Sequence, residues 1–465
     1  MRCIFMGFVK IAGRGRSMDP SSLRGWKKVV THPSLREVHA SIPVSVKASV
    51  WRKILAFTGP GFMVAVGYMD PGNWATDIAG GAKFGYTLLS VILISNFMAI
   101  LLQYLALKLG IVTGRDLAQA CRDHYSKPAA IFLWVICEIA ITACDLAEVL
   151  GSAIALNLLF KIPLVVGVMI TALDVLLVLF LQNKGFRVLE CLVITLIATI
   201  GICYAYELAL SHPAWHLMAG NLLPKPEIAT NWGMLYIALG ILGATVMPHN
   251  LYLHSSLVQT RAFERNDQGR AMAIRYASFD SSVALLGAFF INAAILVLAA
   301  ATFHGTGHQD VADINVAYQL LTPLLGTPVA ALLFAIALLA SGQNSTLTGT
   351  LAGQIVMEGF LNIRLRPWLR RLITRLIAIV PAIIVTAMFG EKGVGNLLIL
   401  SQVILSVQLG FAVFPLVLFT SDPGKMGRFV NNLWLKILAW FVTAVIILLN
   451  AYLLIQTILP LFKKG

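Results

Sequence analysis

An all-α polytopic membrane protein is the fold class this sequence predicts, and three observations carry the prediction. Hydrophobic residues make up 58% of the 465 positions and charged residues only 12%, where soluble globular chains carry about 25% charged. The mean hydropathy is +0.82. Long apolar runs bounded by Gly, Pro and charge recur along the chain. A water-soluble reading is excluded. At roughly 20 apolar residues per spanning helix, the length accommodates about a dozen spans.

Eleven spans are expected, near 54–82, 86–107, 129–160, 163–181, 188–207, 232–260, 276–301, 324–357, 376–390, 394–419 and 437–460. Residues 1–50 read as a basic cytoplasmic tail and 51–465 as one transporter-sized membrane domain. Within it, repeat one covers about 51–207, repeat two about 232–420, and an eleventh helix follows at 437–460.

The charges orient the chain. With the N-terminus inside, 11 Lys and Arg fall in the first 53 residues, and 18 more in the connections at 108–127, 182–187, 261–275, 361–375 and 421–436. Outside remain Lys83, Lys161, Lys225, Lys392, Lys463 and Lys464, and no base is left deep in a span. This asymmetry follows the positive-inside rule and predicts a multi-pass protein of the inner (cell) membrane with its C-terminus outside. The +14 excess and the pI near 9.6 are then a topology signal. No nucleic-acid partner is expected, because no basic stripe with interleaved aromatics occurs.

The tail's apolar residues are too interrupted for a secretory signal, and Met18 is an alternative start. The six cysteines form no CxxC pair and read as reduced packing residues.

Several carboxylates lie inside apolar runs, where a charge costs about 2.5–3.5 kcal/mol even on lenient insertion scales. Asp77, Asp174, Glu190, Asp280 and Glu358 are near span edges and read as interfacial or capping residues. Glu138, Asp145 and Glu148 share one broad face of the third span, which suits a wet pathway.

Two spans carry a proline at mid-membrane. In the first, Asp70-Pro71-Gly72-Asn73 interrupts the helix, freeing carbonyls beside two hard oxygen ligands, Asp70 and Asn73. In the sixth, Pro248 interrupts Met247-Pro248-His249-Asn250 and frees the Ala244 carbonyl one turn earlier. Breaks at matching places in two five-helix halves point to the midplane site of a transporter with inverted repeats. Hard oxygens alone would suit Na⁺, Mg²⁺, Ca²⁺ or Mn²⁺, and the Met247 thioether tilts the set toward Mn²⁺ or Fe²⁺. His249, next to the second break, can take up or pass a proton, or serve as a hydrogen-bonded structural residue.

The segments "DPGNWATDIAGGAKFGY" (70–86), "CDLAEVLGSAIAL" (144–156), "GATVMPHNLYLHSSLVQTR" (243–261) and "ASGQNSTLTGTLAGQIVMEGF" (340–360) resemble the natural resistance-associated macrophage protein (Nramp) family of proton-coupled divalent metal transporters. The resemblance runs from about residue 50 to 460. It implies a LeuT-like fold of five plus five inverted helices with an eleventh, as in bacterial members. It also implies a metal site of Asp70, Asn73, Met247 and the Ala244 carbonyl, joined by Gln402. Protons would use Asp70, Asp145, Glu148 and His249, with Glu138, Arg261 and Arg375 extending a salt-bridge path inward. Cys144 stands where many members have Thr.

The expected activity is proton-coupled import of Mn²⁺ or Fe²⁺ by alternating access, by a monomer in the lipid bilayer, with no enzymatic activity and no resident cofactor. A Na⁺-coupled amino-acid symporter of the same fold is the alternative, although Asp70 would repel a substrate carboxylate. An intramembrane metalloenzyme would need an HExxH-type pair that is absent.

Overall fold

The computed structural model describes residues 25–463, apart from 29–31, 46, 172, 174–184 and most of 364–393. The expected first span is divided into α1 (Val50–Phe57), α2 (Pro60–Ala65), a 3₁₀ turn (Val66–Met69) and α3 (Pro71–Phe84). Gly85, at φ 59°, turns the chain into a second 3₁₀ segment and α4 (Leu89–Thr113). There follow α5 (Leu117–His124), opened by an Asp116/Gln119 capping box, and α6 (Lys127–Phe160) with Pro128 in its first turn. Next come α7 (Leu164–Thr171), α8 (Phe186–Leu210), and two short helices in the connection, α9 (Trp215–Gly220) and α10 (Glu227–Thr230).

The second half opens with another broken pair, α11 (Trp232–Thr245) and α12 (Pro248–Leu257). It continues through α13 (Asp267–Thr302), α14 (Ile314–Leu325), α15 (Pro328–Leu361), α16 (Val394–Thr420), α17 (Pro423–Met426) and α18 (Leu433–Lys463). Among the described residues, eight helical stretches are long and apolar enough to cross a membrane, one of them running through 71–113. The expected spans at 163–181 and 376–390 fall partly outside the described residues, and Asp174 and Arg375 lie outside them. Helix α14 was not foreseen. Its apolar run breaks off at Gly326, φ 71°, before α15 begins at Pro328.

The two broken helices occupy the centre. The most apolar window of 232–260 is 94% buried, whereas those of α8 and α18 are 33% buried and leave the remainder for lipid. Around this centre α3 packs against α11 and α13, and α6 packs against α15 and α16.

Part of the expected tail is docked on this bundle. Residues Ile42–Pro43 (β1) pair in parallel with Arg261–Ala262 (β2), just after α12. The Ala40 N–H donates to the Gln259 carbonyl at 3.0 Å, and the Ser34 and Ser256 hydroxyls share a buried 2.6 Å hydrogen bond. Trp26 is buried edge-on against Phe419, with ring centroids 5.4 Å apart.

Candidate metal centre

Both breaks are built alike. Asp70 (φ −69°, ψ 163°) and Met247 (φ −62°, ψ 120°) leave the helical region and act as N-caps, and Pro71 and Pro248 take the first helical position. There the missing proline N–H would have been an orphan donor anyway, so the second half-helix loses nothing. The preceding half loses a partner: Pro248 has no N–H to offer the Ala244 carbonyl four residues earlier.

The breaks face each other. The Asn250 amide donates to the Val64 carbonyl at 3.3 Å, crossing from one broken helix to the other. A Cβ on Gly67 would run into the Asn250 amide and come within 3.0 Å of the Met247 sulfur, and one on Gly72 would occupy the place of the Gln402 amide. Both glycines are therefore needed for α12 and α16 to approach the first break closely. Asp70, Asn73, Ala244, Met247 and Gln402 are all buried.

The hydrogen bonds leave oxygens over. Asp70 spends Oδ1 on the N–H of Asn73 at 2.8 Å. Asn73 donates Nδ2 to the Tyr68 carbonyl at 2.7 Å, while its buried Oδ1 has no partner. Gln402 donates Nε2 to Ser401 Oγ at 3.1 Å, and its Oε1 is likewise unpartnered. Buried polar atoms are rarely left this way, and two amide oxygens beside a carboxylate and a thioether form a donor set suited to a cation.

Cys144 is the residue whose role the sequence reading missed. Its sulfur lies 4.0 Å from Asp70 Oδ2, 3.7 Å from Glu148 Oε1 and 3.9 Å from His249 Nε2. A single S–H can donate to only one of these at a time. The thiol thus sits between the Asp70 carboxylate and the presumed proton groups rather than serving only to pack. Glu148 and Asp145 converge across the helix interface, since a Cβ on Gly349 would lie 2.8 Å from Glu148 Oε1 and 3.3 Å from Asp145 Oδ1. Glu138 is set apart. It lies ten residues before Glu148 on α6, about 15 Å at 1.5 Å per residue, and accepts a 2.9 Å hydrogen bond from Trp134 Nε1. His254, the other histidine of this span, hydrogen-bonds Gln103 Oε1 at 3.0 Å, and Gln103 in turn meets the Tyr68 hydroxyl.

Arg261, counted among the bases of the 261–275 connection and expected on a salt-bridge path, is drawn into the bundle. It is fully buried and ion-paired with Glu190 at 2.7 Å, and it donates to the Ala56 and Thr58 carbonyls at 3.0 and 2.9 Å. Arg187 reaches Glu190 at 3.0 Å and the same stretch of backbone. Asp280 accepts the N–H groups of Gly59 and Gly61, so of the edge acids it is a true helix cap while Glu190 is an ion-pair partner. Together they clamp the connection between α1 and α2 on the tail side. Glu207 was overlooked because it lies at the margin of its span. It is wholly buried and neither carboxylate oxygen has a partner.

A family model described as natural resistance-associated macrophage protein-like matches residues 61–456. The chain belongs to the Nramp family. Nramp relatives include a protein of Listeria welshimeri named divalent metal cation transporter MntH, 63% identical over 94% of this chain and 98% of its own. A Nostoc protein of the same name is 64% identical over 92% and 96%. Among solved structures, an Eremococcus coleocola manganese transporter mutant superposes with a TM-score of 0.85 at 42% identity, covering 93% of this chain and 92% of that one. The nucleobase-cation-symport-1 transporter Mhp1 matches at a TM-score of 0.58 and 14% identity, which shows the LeuT-like architecture alone. This Nramp chain is a transporter, not an enzyme.

Proposed function

We propose that the protein imports divalent transition-metal ions, Mn²⁺ or Fe²⁺, together with protons, by alternating access across the cell (inner) membrane. The N-terminus lies inside, the C-terminus outside, and the monomer is the working unit. The observation that carries this reading is the pair of facing helix breaks, which gather the Asp70 carboxylate, the unpartnered oxygens of Asn73 and Gln402, the Ala244 carbonyl and the Met247 sulfur. The names of the Listeria, Nostoc and Eremococcus proteins support the choice of cargo.

In this mechanism the cage oxygens and sulfur replace the ion's water. A dication beside Asp70 competes with a proton for that carboxylate. The displaced proton would pass by way of Cys144, whose sulfur lies within 4.0 Å of Asp70, Glu148 and His249, with Asp145 next to Glu148. Glu138, Arg261 and Arg375 would continue the route toward the cell interior. A negative-inside potential of 100 mV favours inward movement by about 2.3 kcal/mol per elementary charge. Uptake of a panel of divalent ions into proteoliposomes, under imposed pH and voltage gradients, tests the reading. Mn²⁺ influx accompanied by lumenal acidification is expected.

Two variants refine it. Met247→Ala should still carry Mn²⁺ but lose its discrimination against Ca²⁺, because only hard oxygens remain. Inhibition of Mn²⁺ uptake by Ca²⁺ measures this, and unchanged inhibition would defeat the softness argument. Glu148→Ala should impair metal-linked acidification more than Mn²⁺ binding, and a normal proton flux from a pH-sensitive dye would remove Glu148 from the route.

A further inference from the structure

On the tail side of the bundle lies a polar recess lined by none of the metal-centre residues. It is a cavity of about 730 Å³ bounded by Trp26, the end of α4, the first turn of α13 and the turn at 423–429. Four cations line it, Arg115, Arg270, Lys425 and Arg428, against one carboxylate, Asp267. We propose that this recess binds a phosphate-bearing anion, either the headgroup of an anionic phospholipid or free phosphate.

Two of the bases form a rigid wall. Arg115 is fixed by Asp123 at 3.0 Å and by the Lys28 carbonyl at 3.1 Å, with its guanidinium 4.7 Å from the centre of the Trp26 ring. Lys425 pairs with Asp422, and its ammonium lies 5.2 Å from the same ring. Trp26 is thereby held between two cations, and the docked tail segment forms one side of the site.

The other two are available to a ligand. Arg428 meets Asp267 at 2.9 Å, but the two side chains are 70% and 52% exposed, and so open an ion pair contributes little. Arg270 has no carboxylate paired with it among the described residues, and its Nε is buried without a hydrogen-bond partner. A phosphate would satisfy that donor and draw Arg428 from Asp267 into the stronger, two-pronged contact that guanidinium makes with phosphate. The recess sits where α4 and α16 end and α18 begins, the level at which basic pockets between spans meet lipid headgroups.

Thermal unfolding of the purified full-length protein in detergent tests this, independently of transport and orientation. The probes are phosphatidylglycerol, phosphatidylcholine and sodium phosphate, added to wild type, to R270Q/R428Q and to R428Q alone, whose exposed position guards against loss of folding. Phosphatidylglycerol should raise the unfolding temperature of the wild type and phosphatidylcholine should not. In R270Q/R428Q the half-saturating concentration should rise about tenfold or more, and in R428Q by less. A matching rise with sodium phosphate identifies free phosphate as the ligand, and a rise with phosphatidylglycerol alone identifies the lipid. An unresponsive wild type, an equal response to phosphatidylcholine, or an undiminished response in R270Q/R428Q overturns the site.

Discussion

Asp70→Ala is expected to reduce Mn²⁺ uptake to that of protein-free liposomes, the largest effect of any single substitution in the proposed centre. Asp70 supplies the only carboxylate in the proposed ligand set, it caps α3 through the N–H of Asn73, and its second oxygen faces Cys144. Alanine removes the charge that offsets dehydration of a dication and loosens the cap that shapes the break. Asp70→Asn separates these roles: the amide oxygen can still cap α3, so folding should persist while uptake is lost. Substantial uptake by either variant would show that the ion passes elsewhere.

The second large effect is structural. Arg261→Ala leaves the buried Glu190 paired with Arg187 and releases the carbonyls of Ala56 and Thr58. Stranding a buried charge by removing its one partner costs about 3–5 kcal/mol, and because Arg187 still pairs with Glu190 the cost here should fall below that range. The clamp ties β2 and α8 to the connection between α1 and α2, so the cost should appear as a lower unfolding temperature and as loosening of that connection. Arg261→Lys should recover only part of it, since a single ammonium cannot serve the Glu190 carboxylate and two carbonyls at once. Circular-dichroism melts of the three proteins in one detergent give the order. If Arg261→Ala melts with the wild type, the clamp contributes nothing to stability.

Much of the centre was legible from residue types. A proline inside an apolar run has few structural outcomes, and the Asp-Pro and Met-Pro pairs fall where the helices break, with the residue before each proline extended as proline sterics require. The long apolar runs located most helices to within a few residues. Less visible were features in which a residue acts against its usual type. Arg261 reads as a loop base because charge is normally solvated, and only the fold supplies the Glu190 carboxylate that permits its burial. Cys144 reads as a small packing residue, and its position among Asp70, Glu148 and His249 comes from three different helices.

The docking of Trp26 and of residues 34–44 leaves almost no pattern in the sequence, since β1 is two residues long and its partner follows a half-helix about 220 positions later. In a polar, basic stretch that resembles a free tail, the buried Trp26 and Leu35 were the available signals. Glu207 was missed for the opposite reason, as an acid near a span edge is ordinarily interfacial, whereas here the chain around it closes over the carboxylate.

The central claim is that the two helix breaks form one metal site, and anomalous X-ray diffraction from crystals grown with Mn²⁺ tests it most directly. A single dominant anomalous peak should lie within coordination distance of Asp70, Asn73, the Ala244 carbonyl and Met247, with Gln402 adjoining, and should vanish in Asp70→Ala. A dominant peak elsewhere in the bundle, or one that persists at full strength in Asp70→Ala, would contradict it.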